Sequence, residues 1–454
     1  CCQHAQETPA KHTPVRLLCM NEINGSDTAW VLVSTALVLL MTPGLALFYG
    51  GMVRAKNVMS TFMHSFFAMG IVTVAWVTIG YSLAFGDTHG GVVGGFQHLF
   101  LAGVGLEARP GTTIPHLLFC AYQMMFAIIT PALISGAYAE RLKFSTYVAF
   151  TFFWSVLIYA PLCHWVWGPG GWLLSRGALD FAGGTVVHLS SGVAALVFAV
   201  VLGKRVGYPK RKAPPHNLTM TLLGAGLLWV GWFGFNAGSA LAANGLAALA
   251  LVNTHVAAGV GAMAWAGAEW LRHGKPSSLG VASGLVAGLV AITPAAGFVG
   301  PMSAMLIGLL AGVACYGGVL LKHKVGYDDS LDVFGVHGVG GLLGALLTGV
   351  LASKVWNPAG QDGLIRGGTG VFVEQLIGVG AAAAFAGVGT FALLKVLDKV
   401  MGLRAHKYEE LEGLDITLHG EEAYSLAEGA GARAFIEPDT DASDEGRPLV
   451  ESEA

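Results

Sequence analysis

Eleven long apolar stretches constrain the fold of this chain more than any other feature. A membrane-spanning helix needs about 20 consecutive, largely apolar residues. Charged residues make up only 12% of the sequence, where soluble domains average about 25%. The stretches occupy residues 29–49, 60–85, 115–139, 144–167, 182–203, 217–236, 249–271, 278–293, 301–321, 333–353 and 370–397. The sequence therefore predicts an all-α integral membrane protein with eleven transmembrane helices. The eighth and tenth stretches are the weakest.

Lysine and arginine are distributed unevenly over the loops between these stretches, and cytoplasmic loops are the ones enriched in them. Alternate loops, starting with the first, contain Arg54, Lys56, Arg141, Lys143, Lys204, Arg205, Lys210, Arg211, Lys212, Arg272, Lys275, Lys322 and Lys324. The other set contains Arg109, Arg176, Lys354 and Arg366. This asymmetry predicts that the N-terminus lies outside and the C-terminus inside.

Two of the stretches resemble each other. His188 is followed by LSSGVAAL and His337 by GVGGLLGAL, and an aspartate and a phenylalanine precede each histidine. Because five stretches separate the two segments, they cross in opposite directions. The pattern predicts two inverted five-helix repeats plus a last helix, an arrangement that places the transport site at the repeat interface. Similar composition of two Gly/Ala-rich helices is the alternative.

Ionisable side chains inside the stretches point to a functional interior, since they are costly in lipid. They are His64, His116, His164, His188, His255, His337, Glu269 and Glu374. Positions near a helix end explain Glu269 and His116. Single histidines in apolar helices are often packed neutral residues, but the repeat relates His188 to His337. No further ligands accompany this pair, so a metal site is not predicted, whereas neutral imidazoles suit proton sharing.

Aromatic residues and a serine form a second group. Phe126, Trp167, Phe235 and Ser239 fall toward the outer ends of their stretches, with Phe126 deeper. Aromatic faces attract cations by roughly 0.5–2 kcal/mol, which favours a cation site. An interfacial aromatic belt is the alternative from position alone.

Five segments of the chain resemble the ammonium transporter family (Amt/Mep/Rh), closest to its bacterial Amt branch. They are PGLALFYGG at 43–51, AERLKF at 139–144, DFAGGTVVH at 180–188, GWFGFNAGS at 231–239 and DVFGVHGVGG at 332–341. The resemblance covers about residues 27–425, and the two histidine motifs are highly specific.

The resemblance implies roles for the residues that match. Phe126, Trp167 and Ser239 would bind ammonium, and Phe126 would stack on Phe235 as a gate. Asp180 and Trp232 would support the site without touching substrate. His188 and His337 would line the pore and share protons. The family also implies a homotrimer in the cell membrane, and a cytosolic PII-type signalling protein as a partner.

The function expected is ammonium transport: the cation is recruited, deprotonated and conducted as ammonia, with separate proton transfer left open. Alternatives are an ammonium sensor or transceptor, and an Rh-like channel for NH3 or CO2. An enzyme would need a nucleophile or a metal cluster, and the stretches contain neither pattern. No cofactor and no nucleic-acid partner are predicted.

The predicted domain organisation has four parts. Residues 1–26 form an extracytoplasmic segment with Cys1, Cys2 and Cys19, and 27–400 form the transporter domain. Residues 401–428 resemble the family's regulatory C-terminal region, and 429–454 have the acidic composition of a disordered tail. Attraction between Glu409, Glu410 and Glu412 and the basic loop at 204–212 is expected to dock the regulatory region.

Overall fold

The computed structural model describes residues 22–210 and 214–424, and most of these residues are helical. Cys1, Cys2, Cys19 and the tail predicted at 429–454 lie outside the described residues. Inside the described ranges, Cys120, Cys163 and Cys315 are buried free thiols. A two-strand hairpin pairs β1 (Thr88–His89) with β2 (Val93–Gly94).

Ten helices within the described ranges are long and apolar enough to cross a membrane, and a shorter apolar helix lies between the seventh and eighth of them. In chain order they are α1 (Gly25–Met52), α2 (Ala55–Phe85), α3 (His116–Tyr138), α4 (Phe144–Arg176), α5 (Gly184–Leu202), α6 (Leu218–Gly238), α7 (Gly245–His273), α8 (Ser278–Ile292), α9 (Pro301–Val325), α10 (Phe334–Leu351) and α11 (Thr369–Met401). The short helix α8 is the eighth apolar stretch of the sequence. The chain is thus an all-helical, multi-pass membrane protein; the predicted orientation defines "outer" and "inner" below.

The helices pack in two related groups. Helix α1 packs along α6, and α7 packs along α8 and α9. Helices α5 and α10 cross each other between these groups, and α11 packs on α5. Both crossing helices begin with a π-helical turn, at Gly184–Leu189 and at Phe334–Gly338, and each turn carries one of the two predicted pore histidines.

Glycine makes the crossing of α5 and α10 close. A Cβ atom on Gly192 would lie 2.2 Å from the backbone nitrogen of Gly338, and one on Gly341 would lie 2.7 Å from that of Leu189. Each glycine follows a histidine by four residues, so it lies one turn further along the same helix face. Small residues at equivalent positions therefore let the two histidine-bearing turns approach each other.

A buried ion cluster joins the inner loops. The Glu140 side chain is fully buried and accepts hydrogen bonds from Arg54 (2.9 Å) and Arg205 (3.0 Å). Arg205 also pairs with Asp328 at 2.8 Å. Burial alone would raise the pKa of Glu140, but Arg54 and Arg205 outweigh it and lower the pKa to about 2.

Residues 402–424 pack against the inner loops. The N–H of Lys143 donates to the carbonyl of Leu403, and that of Ala405 donates to the carbonyl of Arg141, both at 3.0 Å. Asp415 accepts a 2.7 Å bond from the backbone N–H of Ser60. The described part of the predicted regulatory region is therefore ordered against the membrane domain.

The predicted attraction to the basic loop takes a different form in the structure. Glu410 is buried by pairing with Arg404 (2.5 Å), and it reaches the loop through the backbone N–H of Val206 (3.2 Å). Glu409 accepts a bond from the N–H of His406 and so caps its own helix, Lys407–Glu412. The ion-pair partner of Glu410 is thus an arginine six positions before it in the chain.

We expect Glu140→Gln to lower the free energy of unfolding by about 3 kcal/mol, because Arg54 and Arg205 lose a buried charged partner. The folded-state pKa of about 2 lies below the ordinary value of 4.5. The stabilisation is therefore fully present above about pH 4.5 and is lost as the pH falls toward 2. Thermal unfolding in detergent at pH 7 and at decreasing pH measures both effects.

Glu374→Gln is the matched control, because it also removes an arginine–glutamate pair. Its partner Arg176 has a 46% exposed side chain, and exposed pairs contribute about 1 kcal/mol or less. Equal losses of stability in the two variants would contradict a special role for the buried cluster.

Candidate functional site

An outer cavity of about 210 Å³ collects the residues predicted to bind a cation. Phe126, Trp167 and Ser239 all line it. The ring centroids of Phe126 and Trp167 are 5.9 Å apart, and the rings are nearly perpendicular. Such edge-to-face packing holds both rings in fixed orientations, so two aromatic faces and one hydroxyl converge on one small space.

The floor of this cavity is closed by two phenylalanines. Phe126 and Phe235 stack with centroids 4.2 Å apart, and both are essentially fully buried. Beside them the hydroxyl of Tyr122 donates to the carbonyl of Gly234 or of Phe235, each 2.9 Å away. Helices α3 and α6 are thereby tied together at the level of the stacked rings.

Asp180 connects the outer cavity to the start of α5. Its carboxylate accepts four backbone N–H bonds of 2.7–3.2 Å, from Gly183, Gly184, Thr185 and Val186. These are the N–H groups that a helix start leaves unpaired. The carbonyl of Asp180 also accepts the indole N–H of Trp167 at 2.8 Å. One residue thus fixes both an aromatic wall of the cavity and the first turn of the helix that carries His188.

His188 and His337 meet behind the stacked phenylalanines. Their Nδ1 atoms are 3.3 Å apart, and the ring planes differ by 18°. A hydrogen bond between the two rings requires one Nδ1 to donate and the other to accept, which two neutral imidazoles of suitable tautomer can do. The Nε2 atom of His188 has no hydrogen-bond partner among the residues described.

Trp232 fixes the ring of His188 from the opposite side. The indole lies parallel to the imidazole with centroids 5.2 Å apart, and its N–H donates to Thr293 Oγ1 at 2.9 Å. Phe235 packs against both rings, with its plane tilted by 34° to His188 and by 48° to Trp232. The imidazole cannot rotate freely while this packing holds.

The passage beside the histidines is narrow and apolar. A cavity of about 10 Å³, which is space for about one water molecule, lies between Phe235 and the histidine pair. It is lined by Met41, Leu45, Phe48, Ile129, Leu133, His188, Leu228, Trp232, Phe235, Val286 and His337. Apart from the two imidazoles, the walls consist of apolar and aromatic side chains. A molecule in this cavity therefore finds few hydrogen-bond partners to replace the water it has left.

The passage widens toward the inner side. A cavity of about 30 Å³ contacts both His337 and Asp332. Asp332 also lines an inner-mouth cavity of about 410 Å³, together with Arg54, Arg205 and Lys322. Lys322 forms an ion pair with Asp332. The inner-mouth cavity shares Leu331 and Asp332 with the cavity of about 30 Å³, which in turn shares Phe48 and His337 with the cavity of about 10 Å³.

The structure also brings residues to the site that the sequence analysis missed. Arg109 and Gln123 line the outer cavity, and the Arg109 guanidinium lies 3.9 Å from the ring centroid of Phe119. Glu374, which the sequence left without a partner, forms a two-fold pair with Arg176 at 2.6 and 3.0 Å, away from the passage. Within residues 22–210 and 214–424, no three His, Cys, Asp or Glu side chains are grouped as metal ligands.

Comparison with known proteins agrees with this architecture of a helical membrane domain. The family model of the Ammonium Transporter Family matches residues 29–424. An "Ammonium transporter" of Bacillus subtilis (strain 168) is 50% identical over 402 residues, which cover 88% of this chain and 98% of that protein. "Ammonium transporter Amt1" of Archaeoglobus fulgidus is 46% identical, covering 89% of this chain and 100% of that protein.

Solved structures are similar as well. The crystal structure of Candida albicans Mep2 is 36% identical, with a TM-score of 0.81, and covers 86% of this chain and 88% of that one. A structure titled "Sensor Amt Protein" is 29% identical, with a TM-score of 0.80, and covers 86% and 97%. The chain belongs to the ammonium transporter family.

Proposed function

We propose that this protein transports ammonium by recruiting the cation at the outer cavity, removing a proton and conducting ammonia past His188 and His337. The observation that carries the proposal is the passage of about 10 Å³ behind Phe126 and Phe235, which is too small for a hydrated ion. The relatives named ammonium transporters support the same substrate.

Recruitment uses the two aromatic faces. Phe126 and Trp167 attract a cation by about 0.5–2 kcal/mol, and the attraction grows as water is displaced. Ser239 Oγ donates to the carbonyl of Phe235 (2.9 Å) and also lies 3.3 Å from the Tyr122 hydroxyl, which leaves at least one lone pair for a substrate N–H. The outer cavity thus replaces part of the hydration shell of ammonium while leaving the cation weakly held.

Deprotonation follows from the cost of charge in the passage. An isolated ion in an apolar medium costs tens of kcal/mol by Born solvation, far more than the aromatic contacts return. Ammonium can avoid this cost by giving up a proton to water in the outer cavity, whereas potassium cannot. Ammonia then crosses beside the neutral imidazoles and takes up a proton from water in the wide inner cavity.

The shared proton of the histidine pair offers a route for separate proton transfer. His188 and His337 can exchange donor and acceptor roles across the 3.3 Å between their Nδ1 atoms. Transport would then carry charge, in contrast to an Rh-like gas channel for NH3 or CO2. A current that depends on ammonium across a proteoliposome membrane, and is absent with CO2, distinguishes the two.

A sensor or transceptor is the second candidate, because one similar structure is titled a sensor. A sensor would bind ammonium at the outer cavity without net flux. Ammonium uptake into proteoliposomes at a rate far above that of empty liposomes is the outcome we expect. Binding without uptake would favour the sensor and would refute the transport proposal.

Assembly and control are part of the proposal. We infer a homotrimer in the cell membrane, as in the family, with residues 401–428 coupling the inner loops to the passage and receiving a PII-type protein. The contacts of Asp415 with Ser60 and of Leu403 with Lys143 support this coupling, because they join the C-terminal region to α2 and to the start of α4.

His188→Glu and His337→Leu should change selectivity rather than folding. Each variant removes the shared proton and alters the polarity of the passage, so proton-linked ammonium current should fall at least tenfold or potassium should begin to pass. Currents on a solid-supported membrane with ammonium, methylammonium and potassium measure this. Wild-type selectivity in both variants, with intact assembly, would count against the proposed pore.

Trp167→Ala should weaken recruitment without closing the passage. The loss of one cation–π face of about 1–2 kcal/mol corresponds to roughly a tenfold higher half-saturating ammonium concentration. The maximal current should stay within about twofold. An unchanged half-saturating concentration would mean that ammonium is recruited at another site.

Truncation after Gly402 should reduce or deregulate transport while the protein remains folded, because it removes the contacts to Lys143 and Ser60. Truncation after Ala430 is the control and should transport like the full chain. Uptake at several ammonium concentrations and size-exclusion chromatography provide the comparison. Full activity in both truncated proteins would remove the regulatory role.

A further inference from the structure

Gln123 is a polar residue of the outer cavity whose side chain makes no hydrogen bond to any other residue within 22–210 and 214–424. It lies on α3 three residues before Phe126, so both side chains project from the same face of the helix, and both line the cavity. The residue is only 9% exposed, and its buried Oε1 atom has no hydrogen-bond partner in the described part of the chain.

An unpaired buried amide needs an explanation, because nearly all buried polar groups in native proteins are hydrogen-bonded. Gln375 is a buried glutamine with a structural role, and all of its polar side-chain atoms are hydrogen-bonded. Its Oε1 accepts from the N–H of Leu179, and its Nε2 donates to the carbonyls of Leu179 and Ala345, all within 2.8–2.9 Å. Gln123 makes no comparable bonds, although the wall around it is mostly apolar and aromatic.

The proposed substrate can supply the hydrogen-bond donor that the Oε1 atom of Gln123 lacks. Ammonium carries four N–H donors, and each must find an acceptor as the cation leaves water. The faces of Phe126 and Trp167 stabilise the charge but supply no lone pair, and Ser239 supplies one hydroxyl oxygen. A second oxygen acceptor in the same cavity would satisfy another N–H.

We propose that Gln123 is a further ammonium-binding residue of the outer cavity, whose amide oxygen accepts an N–H bond from the bound cation. This inference rests on the transport function proposed above. A neutral amide suits the task better than a carboxylate, because it binds the cation without trapping it in a strong ion pair. The substrate can therefore still lose a proton at the gate.

The proposal predicts a dependence on substrate N–H groups. Methylammonium has three N–H donors and can direct its methyl group toward the apolar wall that contains Phe85 and Phe119. Loss of the amide acceptor should therefore affect methylammonium less than ammonium. The residue would act in specificity as well as in affinity.

Gln123→Met is the test variant, because methionine keeps the length and unbranched shape of glutamine and removes its hydrogen bonding. In full-length protein reconstituted in proteoliposomes, we expect the half-saturating ammonium concentration to rise about tenfold. For methylammonium we expect a rise of about twofold or less, with both maximal currents retained. Gln123→Glu keeps an oxygen acceptor of the same reach and should hold ammonium at least as tightly as the wild type.

Gln123→Leu provides a second apolar variant if Gln123→Met does not fold, as judged by size-exclusion chromatography and melting temperature. Gln97→Leu, an exposed glutamine of the outer loop, is the matched control and should leave both half-saturating concentrations unchanged. A merely structural role for Gln123 would lower the melting temperature and the maximal currents in both Gln123→Met and Gln123→Glu without separating the two substrates.

Trp167→Ala separates failure of this inference from failure of the proposed function. If Trp167→Ala raises the half-saturating ammonium concentration while Gln123→Met keeps it within twofold of the wild type, the outer site is supported and the proposed role of Gln123 is wrong. If both variants keep wild-type half-saturation, the recruitment site itself is wrong and the inference falls with it. An equal rise of the half-saturating concentrations of ammonium and methylammonium in Gln123→Met would also overturn the proposed N–H recognition.

Discussion

The arrangement of the passage depends on the hydrogen bonds between the carboxylate of Asp180 and the first backbone N–H groups of α5. Helix α5 begins inside the protein, where its first N–H groups have no water to bind, and an unpaired group there costs free energy. Asp180 accepts four of them, while its own carbonyl holds the indole of Trp167. Because His188 lies in the turn that this carboxylate organises, the outer cavity and the histidine pair share a single support.

The second support is the close crossing of α5 and α10. Gly192 and Gly341 remove the side chains that would keep the helices apart, and the π-helical turns bring His188 and His337 to the crossing point. The relation between the two helices is therefore one of structure as well as of sequence. Each half of the molecule contributes one equivalent turn, one histidine and one glycine, so neither half could form the pair alone.

Much of this could be predicted from the sequence because the membrane restricts the choices so strongly. Apolar length locates the helices to within a few residues, and DFAGGTVVH and DVFGVHGVGG mark the two histidine turns. Partners distant in the chain could not be predicted in the same way. Glu374 and Arg176 are 198 positions apart, and no local pattern connects them. The fold alone brings them together.

Gln123 and Arg109 were missed for two different reasons. A search for ionisable residues passes over glutamine, although an amide inside an apolar helix is itself costly and could have been noticed beside Phe126. Arg109 lies in a loop without helical periodicity, and only the fold places it over Phe119 in the outer cavity. Side-chain placement by irregular segments is the part of the site that sequence patterns describe least well.

Under the transport proposed above, the narrowness of the passage also determines the order in which molecules cross it. Between the stacked rings of Phe126 and Phe235 and the imidazole of His337 there is space for about one small molecule. Molecules in such a bore cannot overtake one another, so inward and outward movements compete for the same position. In the transport proposed above, ammonia would therefore cross in single file, and each molecule could advance only after the position ahead of it had emptied.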